Sequence, residues 1–198
     1  MRKGRTKPRL RRPRQRRALE TVDVIVRATT QILSRDGVEG LTTNRVAEKA
    51  GVSIGSVYQY FPDKDALIDE VRRRYEVAFR ERMLGLVATI GALPMPEAIA
   101  RSVRTLIALH AEDPGLHNAV SAAGVGDTER RMFHQLVASW LDARPEKIRR
   151  PERALAATMA LDVAEAVIHG VALRAPERLA DDDLAVELTD LLVRYLLE

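Results

Sequence analysis

Apolar residues recur along this chain at intervals of three and four, the spacing that places side chains on one face of an α-helix. Val24, Ile25, Ala28, Ile32 and Leu33 set such a stripe over residues 21–36, and Gly37 is suited to a left-handed C-cap after it. Leu41 packs as the chain turns. Thr42 and Thr43 offer N-caps for a short second helix over residues 44–50, with Val46, Ala47 and Ala50 inward. Gly51 stops that helix, and Ser53 caps a third over residues 54–60. Phe61 is an apolar anchor. Pro62 and Asp63 turn the chain, and Asp63 caps a long fourth helix that begins at Lys64 with Leu67, Ile68, Val71 and Tyr75 on its stripe.

The pattern continues to the end. Pro94, Met95 and Pro96 interrupt it. A fifth helix is predicted over residues 97–112 with Ile99, Val103, Leu106 and Ile107 inward. Asp113, Pro114 and Gly115 form a turn before a shorter helix over residues 116–123, ended by Gly124, Val125 and Gly126. Asp127 opens a helix carrying Met132, Phe133, Leu136, Val137, Trp140 and Leu141. Residues 143–150 are a basic loop, Pro151 suits the first position of a helix running to about Arg174, and a last helix covers residues 184–197. With about nine helices and no strand signal, the chain is predicted to be all-α.

Composition adds two constraints. The 198 residues include no cysteine, so disulfides and cysteine-ligated zinc are excluded, in keeping with a reducing cytoplasm. No stretch reads as the roughly 20 apolar residues of a membrane span, and the N-terminus lacks the apolar run of a signal peptide. No membrane partner is expected. Charge is uneven. Residues 1–17 hold ten Lys or Arg and no acid, leaving residues 18–198 at a net −6. Such an arm repels itself and buries almost nothing, and Pro8 and Pro13 discourage helix, so residues 1–17 are expected to be disordered. The arm, with Arg16 and Arg17 at its inner end, suits phosphates or a minor groove; a solubilising tail is the plainer alternative.

Residues 41–67, LTTNRVAEKAGVSIGSVYQYFPDKDAL, read as a helix-turn-helix. Ala47 is small where two helices cross, and Gly51 permits positive φ at the joint. The third helix carries small and hydrogen-bonding groups on its outer face, the requirement for entering a major groove. Gln59 offers a bidentate pair to adenine, Ser56 a hydroxyl to base or phosphate, Gly55 close backbone approach, and Ile54 an apolar contact for a thymine methyl.

The run Gly40-Leu41-Thr42-Thr43, Val46-Ala47, Ala50-Gly51-Val52-Ser53, Gly55-Ser56-Val57-Tyr58, Tyr60-Phe61, Lys64 and Ala66-Leu67 resembles the signature of the TetR (tetracycline-repressor) family of regulators. The likeness covers roughly residues 21–70; the rest resembles the family only in length and helix count. The resemblance implies an N-terminal three-helix DNA-binding domain over residues 18–66 and a C-terminal helical ligand-binding and dimerisation domain over residues 67–198. It also implies that Thr43, beside Thr42, contacts phosphate, and that Asn44 stands where some relatives use Arg to read guanine. Tyr58 and Tyr60 match positions for backbone or base-edge contact, with packing as the alternative. Lys64 matches a phosphate anchor at a helix N-terminus.

A family of this kind responds to apolar or amphipathic small molecules held between helices. Met132, Phe133, Leu136 and Trp140 either line such a cavity or are ordinary core; Leu106, His110, Met159 and Asp162 are further candidates. His110 and His117 are seven apart with Pro114 between them, which argues against a paired metal site. Asp162, Glu165 and His169 share one helix face and suit polar contacts more than a metal, so no metal or cofactor is expected. Val163, Val167 and Gly170 with Leu188, Leu191, Leu192 and Tyr195 supply two apolar faces for a four-helix dimer interface. A two-fold dimer would present two reading helices to a near-palindromic duplex.

The predicted function is a homodimeric transcriptional repressor released from DNA by a small effector, activation remaining open. A DNA-coating protein without sequence preference is the rival, separated from it by the specificity ratio at fixed salt. An enzyme is disfavoured, because there is no cysteine nucleophile, glycine-rich phosphate loop or serine elbow.

Overall fold

The computed structural model describes residues 13–123, 127–144 and 148–197. Residues 1–12, which hold most of the expected arm, lie outside the described residues, as do the Gly124-Val125-Gly126 stop and part of the basic loop. Among the described residues the chain forms nine α-helices and one short 3-10 turn, with no strand. They are α1 (Pro13–Asp36), α2 (Thr43–Ala50), α3 (Ile54–Tyr60), α4 (Lys64–Ile90), α5 (Met95–Glu112), α6 (Pro114–Ala122), α7 (Asp127–Asp142), α8 (Arg153–Arg174) and α9 (Asp182–Leu197), with the 3-10 turn at Pro176–Ala180.

Local chemistry explains most boundaries. Gly37 and Gly51 take φ of 64° and 67°, conformations that a Cβ would strain. The Thr42, Ser53 and Asp63 side chains accept from the amides of Arg45, Ser56 and Ala66 and cap α2, α3 and α4. The N-terminal expectation needs correction. Helix α1 begins at Pro13, eight residues earlier than the apolar stripe, so residues 13–17 are helical and not part of a disordered arm. Proline has no amide hydrogen to lose at a first helical position, and Arg16 binds Glu20 one turn on at 2.9 Å. The Asp113 turn is also tighter than expected. Pro114 is already the first residue of α6, and Asp113 caps it by accepting from Leu116 N at 2.9 Å.

Two apolar cores organise these helices. One gathers Ile25, Ile32 and Leu33 of α1, Val46 of α2, Val57 of α3 and Leu67, Ile68 and Val71 of α4. The other joins the end of α4 to α5, α7, α8 and α9 around Met83, Met95, Val103, Leu141, Ile168 and Leu188. Helix α4 passes through both, so the expected boundary between residues 66 and 67 falls inside a continuous helix whose first two turns belong to the N-terminal core. Ala119 and Val120 of α6 also belong to that core, although they lie fifty residues downstream of it. Three arginines close the other unit by hydrogen-bonding carbonyls at helix C-termini, where cations are favoured. Arg144 binds the Ile90 and Gly91 carbonyls, Arg153 that of Leu141, and Arg150 that of Tyr195.

A charge cluster ties α4 to α1. Glu70 accepts from Arg73 and Arg74 at 2.8 Å each, and Arg74 reaches Asp23 of α1 at 2.8 Å. The hydrogen bond from Arg73, helped by that from Arg74 against the cost of burial, holds the Glu70 carboxyl down at about 2. A carboxylate whose folded value lies below its unfolded one stabilises the protein above the unfolded value, and that contribution drains away as pH falls toward the folded one. Glu70→Gln should therefore be less stable than the parent near neutrality, with the gap closing between about pH 4.5 and 2. Urea unfolding across that range checks it, and a gap independent of pH would refute it.

Candidate nucleic-acid interface and cavity

Helix α3 buries one face and bares the other. Val57 is fully buried and Phe61 nearly so, while Ile54, Gly55, Tyr58 and Gln59 are exposed. Two turns between a serine cap and an extended Phe61 leave these groups on a short ridge, with Ile54 and Gly55 at its N-terminal end. A Cβ on Gly55 would meet only its own cap serine at 3.8 Å, so the residue keeps an approach to the backbone open. Thr42 and Asn44 of the α2 entry are exposed beside it, and Thr43 is partly so. Thr43 Oγ1 and Tyr58 OH lie 3.2 Å apart, which joins the α2 N-terminus to the α3 ridge. Lys64 is partly buried at the first position of α4.

Not every predicted side chain is equally available. The Ser56 hydroxyl is 2.8 Å from that of Ser53 and belongs to the helix cap. Tyr60 is partly buried against the N-terminal core. Arg16 is engaged with Glu20 on exposed α1, and Arg17 is exposed one residue on. Arg45, absent from the predicted set, is held by Asp36 and the Gly40 carbonyl and so fixes the turn before α2.

A cavity of about 390 Å³ opens between α4, α6, α7 and α8. Leu106, Met132, Phe133, Leu136 and Asp162 line it, as expected from the sequence. Trp140 does not; it lines a separate apolar void of about 90 Å³ that is shared with α9. Met159 points outward and is 45% exposed. His110 is fully buried one layer behind the wall, against His117. Tyr75, Phe79 and Met83 of α4 and His117, Val120 and Ser121 of α6 complete the wall, and spacing alone did not point to them.

All four histidines of the chain lie in or directly behind this cavity. His134 Nε2 pairs with Asp162 Oδ1 at 3.2 Å on one side. On the other, His110 and His117 meet with ring centroids 3.9 Å apart and planes tilted by 49°, and His169 stands edge-on to His117 at 5.3 Å. Glu165 Oε1 is 3.4 Å from His110 Nε2. Tyr75 OH and His117 Nδ1 are 2.7 Å apart. Burial, and then the charge of His110, push His117 down to about 4. Burial, reinforced by Glu165, pushes the Tyr75 hydroxyl up to about 12. Burial raises the Glu165 carboxyl, but the neighbouring His110, and then His117 and His169, outweigh it, and the net direction is down. The helix does break between His110 and His117, as the position of Pro114 suggests, but the break does not keep the two rings apart. The break at Asp113 ends α5 and folds α6 back across it, which brings the two rings together.

The predicted dimer faces divide. Leu188 and Leu192 are buried within their own chain, because α9 packs on α5. Gly170 is buried too, and a Cβ there would meet Arg174 of the same helix at 2.8 Å. Tyr195 is half-buried with the Arg150 guanidinium 4.6 Å from its ring. Val163 is partly exposed, while Val167 and Leu191 stay exposed and are joined by Leu155, Met159 and Leu173 of α8 and Val186 of α9. Helix α8 is long and apolar enough to cross a membrane by length and composition, contrary to the sequence expectation. Its apolar character is divided between the core (Ala156, Ala157, Ala164, Ile168) and this bare outer stripe, while Asp162, Glu165 and His169 face the cavity.

Comparison with known proteins follows the same division. Residues 25–71 match the family model "Bacterial regulatory proteins, tetR family", and residues 94–196 match "Tetracyclin repressor-like, C-terminal domain". The tetracycline repressor protein class C of Escherichia coli is 40% identical over 47 residues, 24% of this chain and 22% of that protein. The HTH-type transcriptional regulator BetI of Stenotrophomonas maltophilia is 34% identical over 70 residues, 35% of this chain and 36% of that protein. The chain thus matches only about a fifth to a third of the length of these curated relatives. A TetR-family regulator from Streptomyces coelicolor superposes with a TM-score of 0.67 at 24% identity, covering 90% of this chain and 96% of that one. One from Mesorhizobium loti gives 0.65 at 22% identity over 92% and 99%.

Helix α6 joins the two regions physically. Ser34 of α1 donates to Asp113 Oδ1 at 2.7 Å, and a Cβ on Gly115 would sit 1.9 Å from the Ser34 carbonyl oxygen. Gly115→Ala must push α6 off α1 and should cost about 1–3 kcal/mol by overpacking. Gly85→Ala, in an open helical position of α4, should instead gain about 0.5–1 kcal/mol. Chemical denaturation of the two variants checks the pair; equal effects would show that α6 is not tightly seated.

Proposed function

Because the chain belongs to the TetR family of bacterial transcriptional regulators, we propose that it acts as a homodimeric repressor of a near-palindromic operator, released when a small apolar or amphipathic molecule fills the cavity. Membership makes it a DNA-binding regulator. The observation that carries the finer reading is the double role of α6. The same two turns supply His117, Val120 and Ser121 to the cavity wall and Ala119 and Val120 to the core that seats α1, α2 and α3. A molecule in the cavity therefore presses on an element that the DNA-reading module is built around. It shifts the equilibrium only as far as it favours one position of α6 over the other.

In this reading Ile54, Gly55 and Gln59 face base edges, and Tyr58, Thr43, Thr42, Asn44 and Lys64 hold the phosphates on either side. The arm, with Arg16 and Arg17 where it enters α1, adds salt-dependent affinity without sequence choice. A second copy covers the apolar stripe of α8 and α9, and the resulting two-fold sets the spacing of the two reading helices. Such a regulator works in the cytoplasm, where the operator is.

Two experiments test this. Selection from random duplexes with the purified protein should return a near-palindrome, bound about 10³-fold or more tighter than scrambled DNA at the same salt. Gln59→Ala should change the preferred base at one symmetric position of it. Recovery of no palindrome would overturn the operator reading. Met159→Glu, on the exposed stripe, should leave the helical content intact, shift the protein to monomer in sedimentation, and weaken operator binding at least tenfold. A dimer that survives the charge would place the interface elsewhere.

A further inference from the structure

We propose that His110, His117 and Glu165 form a binding site for a divalent transition-metal ion of the zinc class, at the inner end of the cavity. Their candidate ligand atoms all lie within 4.8 Å of one another and come from three helices, α5, α6 and α8. The inference does not depend on the operator reading.

The hydrogen bonding of His110 carries the argument. Its Nδ1 lies 2.8 Å from the Leu106 carbonyl, which can only accept, so Nδ1 bears the hydrogen. In the neutral ring the lone pair then sits on Nε2. That atom is buried, has no hydrogen-bond partner among the described residues, and faces a carboxylate oxygen of Glu165 at 3.4 Å. A buried imidazole lone pair with no donor to satisfy it, set beside a carboxylate oxygen that is half exposed to the cavity, is a place for a positive species.

Distance separates the two kinds of cation. A proton on Nε2 would make a charge-assisted hydrogen bond, which closes to about 2.7–2.9 Å and aligns. Here the contact is 3.4 Å and unaligned. An ion bound at about 2.0–2.2 Å to each ligand holds neighbouring ligand atoms about 3.4 Å apart in tetrahedral geometry. The His110–Glu165 separation already has that value, and no separation in the trio needs to close by more than about 1.4 Å. A bond from backbone carbonyl to Nδ1–H is also the usual outer-shell partner of a metal-bound imidazole, fixing its tautomer and aim. Two imidazoles with one carboxylate suit Zn²⁺, Co²⁺ or Ni²⁺, whereas Mg²⁺ and Ca²⁺ prefer all-oxygen sites. His169, edge-on to His117 and one turn beyond Glu165 on α8, flanks the remaining coordination side toward the cavity.

Tag-free dimeric protein, stripped with chelator and titrated with Co²⁺, tests the site. The expected result is a visible ligand-field spectrum of low-coordinate Co²⁺ that saturates at one ion per chain and is displaced by Zn²⁺. Because His110 is fully buried and its replacement risks unfolding, the decisive variants are Glu165→Gln and His117→Gln, with circular dichroism to confirm the fold. Each should weaken Zn²⁺ binding at least tenfold in calorimetry and remove its effect on melting temperature. His134→Gln, on the opposite side of the cavity, should leave both unchanged. Absence of the spectrum in the parent overturns the site and leaves a protonated His110–Glu165 pair. A spectrum that persists in folded Glu165→Gln and His117→Gln also overturns it, because the ion is then held elsewhere. Neither readout involves DNA, so a failed operator selection and a failed metal site are distinguishable.

Discussion

The seating of α6 against α1 constrains everything else in this molecule. Gly115 has no room for a side chain beneath the Ser34 carbonyl, and the Ser34–Asp113 hydrogen bond locks the same corner. With that corner fixed, Ala119 and Val120 fall into the N-terminal core, and His117 turns into the cavity. Packed interiors have low compressibility, so a helix wedged this way moves as a unit or not at all. A displacement at His117 is thereby a displacement at the base of α1.

Helix α4 is the second link. It begins at the Asp63 cap beside α3, passes through the N-terminal core with Leu67, Ile68 and Val71, and ends in the cavity wall with Tyr75, Phe79 and Met83. Tyr75 OH bonds to His117 of α6, so the two links touch each other at the cavity's polar end.

What was legible in the sequence was what local chemistry decides. The glycine caps at 37 and 51, the Ser53 and Asp63 caps, and the exposed face of α3 all follow from residues within one or two turns of each other. Long-range facts were not legible. An apolar stripe shows that a face is covered and not by what, so Leu188 and Leu192 were assigned to a partner when α5 covers them. Pro114 breaks the helical repeat that would align His110 with His117, and nothing local shows that the break reverses the chain and brings the two rings together. The early start of α1 is hard to read because residues 13–17 carry no apolar stripe; a proline at a first helical position and the Arg16–Glu20 spacing are its signals. Nothing local marks Ala119 and Val120 as part of the N-terminal core.

The central claim is that α6 couples the cavity to the reading helices. Coupling of binding equilibria is reciprocal, so operator DNA must alter α6 as surely as a cavity ligand must alter the reading helices. Amide hydrogen exchange of the protein with and without its selected operator measures this directly. The account predicts changed protection across residues 114–122 of α6 and around Tyr75 of α4, besides the expected protection of α2 and α3. Protection confined to α1–α3, with α6 exchanging identically in both states, would contradict it.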